Sequence, residues 1–360
     1  MDSHPDLAPP YRVSLGDPGA LAAAVPRLLG FRPRESVVLI SLTGPSGAQV
    51  GLTVRADIPP PEHAADVAGE LGRRVRTDRP AAVVLLVISE DLPGGLPDDG
   101  GSGGGADLPH RPLVHELTVA LHRHRIPVRE ALLVRDGRWW SYDCPADCCR
   151  PAHGTPLPVG TSPFEAASVA AGVTVADSRE ALAARIAPVD GPARSSMAAA
   201  ARRIAAESSA RALAVGLDVV AEESWAAVLA GLAHCRAGTA LSDAALARIL
   251  WGLRDTAVRD RALRLALADD DAAVDSLWTE CTRRAPRRYV PAPATLLAVG
   301  AWLRGDGAMA GVALERALAA DRRYRLARLL GQALAACLPP SELRLLIAGG
   351  AIADDDAPAR

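Results

Sequence analysis

The sequence predicts an α/β domain with a mixed, mainly parallel sheet opened by an N-terminal hairpin, followed by an all-α domain of helical hairpins. Three observations carry this. Short runs rich in β-branched residues alternate with helical periodicity between residues 35 and 137. From about Pro163 the apolar period becomes helical and stays so. The 360 residues also exceed the size at which one hydrophobic core keeps growing, and a hydrophobic content of 49% can fill two.

In chain order, Gly19 to Leu29 reads as a short helix and "ESVVLISL" as a buried strand. "TGPSGAQ" supplies a turn, and "VGLTVRADI" completes a hairpin. Pro60 and Pro61 open a helix reaching about Arg76, and "AAVVLLVIS" is a third strand. A glycine-rich insertion over 92–109 reads as flexible. Leu113 to Arg125 forms a helix, "VREALLVRDG" a fourth strand, and Asp136-Gly137 turns the chain back into "RWWSY". Right-handed crossovers make the second, third and fourth strands parallel, so their carboxyl ends share one edge. "RWWSY" runs back from that edge, which predicts that the cysteine segment after it emerges at the opposite rim.

In the second domain, Leu246, Ile249, Leu250 and Leu253 repeat at i, i+3, i+4 and i+7 behind a Ser242 N-cap. Val274, Leu277, Trp278 and Cys281 do so behind Asp269 to Asp271. Trp225, Trp251, Trp278 and Trp302 recur at near-regular intervals, which suggests one aromatic per structural unit. Ala310, Leu314 and Ala317 have the phase of a tetratricopeptide-type helical pair, and Arg304-Gly305-Asp306 reads as a helix-to-helix turn. The expected organisation is a disordered 1–10, an α/β domain over 11–160, a helical domain over 161–351, and a disordered tail over 352–360.

Composition removes several chemistries. The 40 basic residues are all arginine, for the sequence contains no lysine and no asparagine. That codon bias points to a GC-rich genome. Without lysine there is no GxxxxGK[ST] phosphate loop and no pyridoxal-phosphate Schiff base. Forty arginines against 42 acids give a net charge of −2, which argues against nucleic acid or an anionic membrane as a partner. The polar N-terminus has no signal-peptide pattern, and the longest apolar run, Ala81 to Ile88, is too short to span a bilayer. A cytoplasmic protein with reduced core thiols at Cys235, Cys281 and Cys337 is expected.

Four groups of residues carry candidate chemistry. Asp57, Glu90 with its neighbours Ser89 and Asp91, and Asp136 fall at the shared strand ends, where carboxylates can hold Mg²⁺ beside a phosphate. Cys144, Cys148, Cys149 and His153 follow Trp139 and Trp140. A zinc site, a disulfide from Cys144 to Cys148 or Cys149, and a tight hairpin loop with half-buried cysteines are the readings of that segment. The hairpin is preferred, because structural zinc usually takes two separated chelating pairs, and an iron–sulfur cluster is disfavoured because only three thiols are local. Arg283, Arg284, Arg287 and Arg288, beside Tyr289, form the densest basic patch, readable as an anion site or as a solvated loop. His110, His115, His122 and His124 are dispersed by helix geometry, and Val119 stands where HExxH needs its second histidine.

Taken together, "AAVPRLLGFRPRESVVLISL", "RWWSYDCPADCC" with "GTPLP", "AWLRGDGAMAGVALERALAADRRYRLARLL" and "CLPPSELR" resemble an actinobacterial family of unknown function, number 4192 among such domain families. The likeness spans almost the whole chain and implies no established activity, substrate or catalytic residue. In the family the cysteine segment continues with a proline and an acidic residue where this chain has Pro151 and His153, which weakens His153 as a ligand. The expected function is binding or regulation through a protein-docking surface on the helical domain. The alternative is a metal-assisted small-molecule hydrolase acting at the strand ends.

Overall fold

The computed structural model describes residues 17–44, 47, 49–90, 108–146, 149, 153–158, 174–268 and 271–349. The expected disorder at 1–10 and 352–360, the glycine-rich segment up to residue 107, the caps Asp269 and Asp270, and the candidates Asp91 and Cys148 lie outside them. The chain divides into two compact units, Met1–Arg179 and Glu180–Arg360.

The first unit is built from α1 (Pro18–Leu29), β1 (Ser36–Thr43), β2 (Gln49–Asp57), α2 (Ala64–Arg76), β3 (Ala82–Ile88), α3 (Arg111–Arg123), β4 (Val128–Arg135), β5 (Arg138–Ser141) and β6 (Thr155–Pro156). The strands form one mixed sheet in the order β2-β1-β3-β4-β5-β6. β1 pairs antiparallel with both β2 and β3, β3 parallel with β4, and β5 antiparallel with both β4 and β6. Among the described residues the sheet is therefore mainly antiparallel and not mainly parallel as expected, because the β1–β2 hairpin and the β4–β5 turn reverse the chain at both sides of the β3–β4 pair. β2, β3 and β4 therefore point the same way, and the start of β1 joins their carboxyl ends on one edge. The helix after β3 begins at Arg111, two residues earlier than expected, because Pro112 in its first turn has the backbone angle a helix start needs.

β1 and β3 are almost continuously buried, with Val37 to Ile40 and Val83 to Val87 at most 2% exposed, so both faces of the sheet must be covered. Helix α1 lies on one: Leu21, Val84 and Glu130 line a common small cavity. The other face carries α2 and α3 packed against each other. Asp17 caps α1 by accepting hydrogen bonds from the Gly19 and Ala20 amides.

A bulge interrupts the β1–β2 ladder, where Ser41 faces the two residues Gly51 and Leu52. Asp78, just past α2, accepts the freed Leu52 amide at 2.7 Å and the Ser41 hydroxyl. A side chain at position 51 would collide with that carboxylate, which explains the glycine. Asp78→Ala is expected to lower the unfolding free energy by about 1–3 kcal/mol, since it strands an amide and a buried hydroxyl. The shift of the urea midpoint measures it; an unchanged midpoint would mean that water replaces the carboxylate at no cost.

The second unit comprises α4 (Arg179–Ala184), α5 (Gly191–Val215), α6 (Leu217–Arg236), α7 (Asp243–Gly252), α8 (Thr256–Leu263), α9 (Asp271–Arg284), α10 (Pro291–Leu303), α11 (Gly307–Ala320), α12 (Arg325–Ala335) and α13 (Pro340–Ala348). Every residue of α10 is buried, the expected fate of a helix that is apolar all round, and α9, α11 and α13 are among its neighbours. Ser242, Asp255 and Asp306 cap α7, α8 and α11. Gly305, in the left-handed region at φ 83°, makes the turn between α10 and α11. The tryptophans fall on α6, α7, α9 and α10, with α8 intervening, so their spacing does not mark equal units.

Candidate functional site

The carboxyl edge of the sheet gathers polar groups from four successive segments. Glu35 precedes β1, Asp57 ends β2, Ser89 and Glu90 follow β3, and Asp136 follows β4; His110 stands immediately before α3. Glu35 and His110 both hold positive φ, at 39° and 61°, a region that non-glycine residues seldom occupy. The Glu35 carboxylate accepts the Ser89 hydroxyl at 2.8 Å and the Glu90 amide at 2.6 Å. His110 Nε2 lies 3.1 Å from the same hydroxyl oxygen. Because Ser89 donates to Glu35, its oxygen receives a hydrogen from His110, and the three side chains form one directed chain. Ser89 is fully buried.

This order, acid to serine to imidazole, is not that of an activated nucleophile, in which the imidazole takes the serine proton and the acid orients the imidazole. It holds two neighbouring loop ends in place. Burial pushes the His110 ring below its ordinary pKa, with Glu35 pulling the other way.

Of the strand-end acids expected from sequence, Glu90 and Asp136 are brought together: the Glu90 carboxylate accepts the Asp136 amide at 3.1–3.2 Å. Burial pushes the Glu90 carboxyl above the usual range, while the hydrogen bond from Arg135 holds Asp136 below it. Asp57 is held apart by Arg55, whose Nη2 lies 2.5 Å from it. The Arg55 Nε also donates to buried Ser36. Among the described residues, no three His, Cys, Asp or Glu side chains stand where they could share a metal ion.

The cysteine segment departs from expectation in position. β5 has only four residues, so its ladder ends at Ser141, opposite Leu132 in the middle of β4 and short of the far rim. β6 then brings it back beside Arg138 and Trp139. The segment lies alongside β5, with the buried Cys149 sulfur accepting the Ser141 amide at 3.3 Å. Arg138 donates to the His153 and Gly154 carbonyls at 2.8 and 2.9 Å. His153 is exposed and Cys144 half-buried. Trp140 is 2% exposed beneath Gly154, whose φ of 58° and missing side chain let the backbone approach the ring.

The arginine patch is dispersed by its partners. Arg283 pairs with Glu280, Arg284 with Asp243, and Arg287 caps the end of α11 through the Ala319 and Ala320 carbonyls. Arg288 stacks on Tyr289, 4.7 Å from the ring centre. Elsewhere in the helical unit large apolar side chains face solvent: Leu213 is 91% and Leu217 72% exposed at the α5–α6 turn, and Leu345 72% on α13.

Sequence reasoning missed Glu35 and the engagement of His110. The signal for Glu35 was available, because a residue preceding a strand antiparallel to β3 must land at the carboxyl end of β3. His110 carries no such signal, since its place depends on the backbone turning left-handed.

The molecule is thus a two-unit protein, a mixed α/β sheet followed by an all-helical unit, with a hydrogen-bonded acid, serine and histidine at the sheet's carboxyl edge. The chain belongs to the family described as Domain of unknown function (DUF4192), whose model matches residues 18–341. Comparison with curated proteins and with solved structures gives no match. Among the described residues, no helix is long and apolar enough to cross a membrane.

Proposed function

We propose that the chain is a cytoplasmic binding protein of regulatory type, in which the helical unit docks another protein. The observation that carries this is the exposure of Leu213 and Leu217 at the α5–α6 turn, which nothing among the described residues covers. Isolated exposed leucines are ordinary, but here two of them flank a single turn, and Val219 on the next helix is exposed as well. The strand-end carboxylates support the same reading, because each is tied to an amide or an arginine and, beyond the neighbouring Glu90 and Asp136, no third one among the described residues joins them.

A photo-cross-linking residue placed at position 213 in living cells tests this. One dominant protein adduct, lost when Leu217→Glu is added, is expected; no adduct above that of a polar surface position would overturn the reading.

A second reading, metal-assisted hydrolysis at the strand ends, is favoured by one observation: Glu90 and Asp136 are neighbouring carboxyls whose proton affinities are driven apart, as in acid–base pairs. Elemental analysis of the purified protein separates it from the first. Stoichiometric magnesium or zinc lost in Asp136→Asn would favour the hydrolase, and zinc lost instead in Cys148→Ser would assign the metal to the cysteine segment.

A further inference from the structure

Helices α10, α11 and α12 pack in antiparallel succession, so three chain segments meet at one end of the trio: the turn Arg287–Tyr289 that leads into α10, the residues that follow α11, and the start of α12. Arg287 fixes the meeting, since its guanidinium donates to the Ala319 and Ala320 carbonyls that end α11. Six arginines gather there, Arg287, Arg288, Arg322, Arg323, Arg325 and Arg328, and all are exposed. Asp321 is the single acid in residues 285–303 and 316–335, and its carboxylate accepts the Arg323 amide at 2.8 Å.

The stability of the fold does not account for this concentration of charge. Arg283 and Arg284 are neutralised by Glu280 and Asp243, whereas among the described residues Arg288, Arg322, Arg323 and Arg328 form no ion pair. Arg325 and Arg328 stand at the start of α12, whose first turn holds no acidic residue, and there a cation opposes the helix dipole instead of complementing it. The whole chain carries only −2, so the excess is local. Two features mark the occupant. The cations belong to the ends of three helices, and neighbouring helix axes stand about 8–10 Å apart, so the cluster spreads over about 20 Å, far wider than one phosphate or carboxylate. Leu329 follows Arg328 on α12 and is 44% exposed, which sets an apolar side chain among the cations. Tyr289 is buried and Tyr324 half-buried, so neither offers the open ring on which a nucleobase stacks.

We propose that this arginine cluster docks an extended segment of another protein, rich in glutamate or aspartate, with Leu329 meeting an apolar side chain set among the carboxylates. At about 3.3 Å per residue, about six extended residues cross the cluster, and alternate side chains on one side of the segment fall about 7 Å apart, within reach of successive guanidinium groups. Each guanidinium can hold a carboxylate through two parallel hydrogen bonds. The cluster lies on different helices from the α5–α6 turn, so the inference goes beyond the docking reading above and stands or falls without it.

Fluorescence anisotropy of a labelled peptide of about ten residues, in which glutamate alternates with glycine around one central leucine, reads the result when the full chain is titrated in at low ionic strength. Saturable binding at protein concentrations on the order of 10 µM is expected. Arg322→Glu with Arg323→Glu should weaken it by about tenfold or more, since two charge-assisted contacts are reversed, with unchanged circular dichroism because both side chains are exposed. Leu329→Gln should weaken the leucine peptide and leave an all-glycine counterpart unaffected. Arg76→Glu with Arg123→Glu makes the same change of net charge on exposed residues of the first unit and should leave binding as it was. Four results overturn the proposal: no saturable binding to the wild-type chain, an unchanged affinity in the Arg322/Arg323 variant, an equal loss in the Arg76/Arg123 variant, or a single-stranded oligonucleotide of the same charge that binds more tightly than the peptide. A peptide that binds only after residues 350–360 are removed also overturns it, by giving the cluster to the chain's own Asp354, Asp355 and Asp356.

Discussion

Trp140→Ala should lower the unfolding free energy of the α/β unit by about 3–5 kcal/mol, the usual cost of deleting a large buried aromatic side chain. Trp140 is 2% exposed and sits between the sheet and the returning Gly154 backbone, so its loss opens a cavity beneath the segment that carries Cys149. Gly154→Ala should also destabilise, because a methyl group at φ 58° is strained and drives into the ring. The two effects are coupled: in the Trp140→Ala background the methyl group has room, and Gly154→Ala then costs only its backbone strain. Urea unfolding followed by far-UV circular dichroism, fitted to two transitions because the chain has two units, measures all four proteins. Additive costs would show that the glycine and the tryptophan do not press on each other.

The parts of this molecule legible in its sequence are those set by period and by chain direction. Short, β-branched runs such as "SVVLISL" and "AVVLLVI", bounded by turn residues, read as strands covered on both faces, and the right-handed crossover then aligns β2, β3 and β4. Ser242 was readable as a cap from its place before an apolar row, and it does accept the Ala245 amide. Illegible parts depend on single dihedral choices or on long-range pairing. The early exit from β5 at Ser141 rests on a two-residue strand, Thr155–Pro156, too short to leave a pattern. The arginines were read as one patch because they are adjacent in sequence. Helix and turn geometry instead turns Arg284 to Asp243 and Arg287 to the carbonyls ending α11. Glu90 and Asp136 were visible as strand ends, but not the hydrogen bond that links them or the arginine that holds Asp57 apart.

A loss of stability on mild acidification is expected at the Glu35–Ser89–His110 chain. Burial holds the folded-state pKa of His110 below the ordinary 6.5, so below that pH the unfolded chain takes up a proton that the folded one refuses. Stability is therefore retained above the ordinary histidine value and lost as the pH falls beneath it. Glu90 acts in the opposite sense: its raised folded-state pKa lets the native protein take up a proton first, so its contribution increases as the pH falls toward the ordinary carboxylate value of 4.5. Asp136, depressed by Arg135, loses its contribution in still more acid solution. His110→Asn isolates the first effect, because asparagine tolerates the left-handed φ of 61° and its amide can donate to Ser89 without titrating. The urea midpoint of the wild-type protein should fall between about pH 7.5 and 5.5, and that of His110→Asn should not. Glu35→Ala should cost about 1–3 kcal/mol at neutral pH, since it leaves the buried Ser89 hydroxyl and the Glu90 amide without their acceptor. It should also steepen the acid limb, because the carboxylate that favours protonated His110 is gone. A wild-type midpoint that is level across this range, or an asparagine variant that falls as steeply, would mean that His110 meets water freely and that the three side chains do not act as a unit.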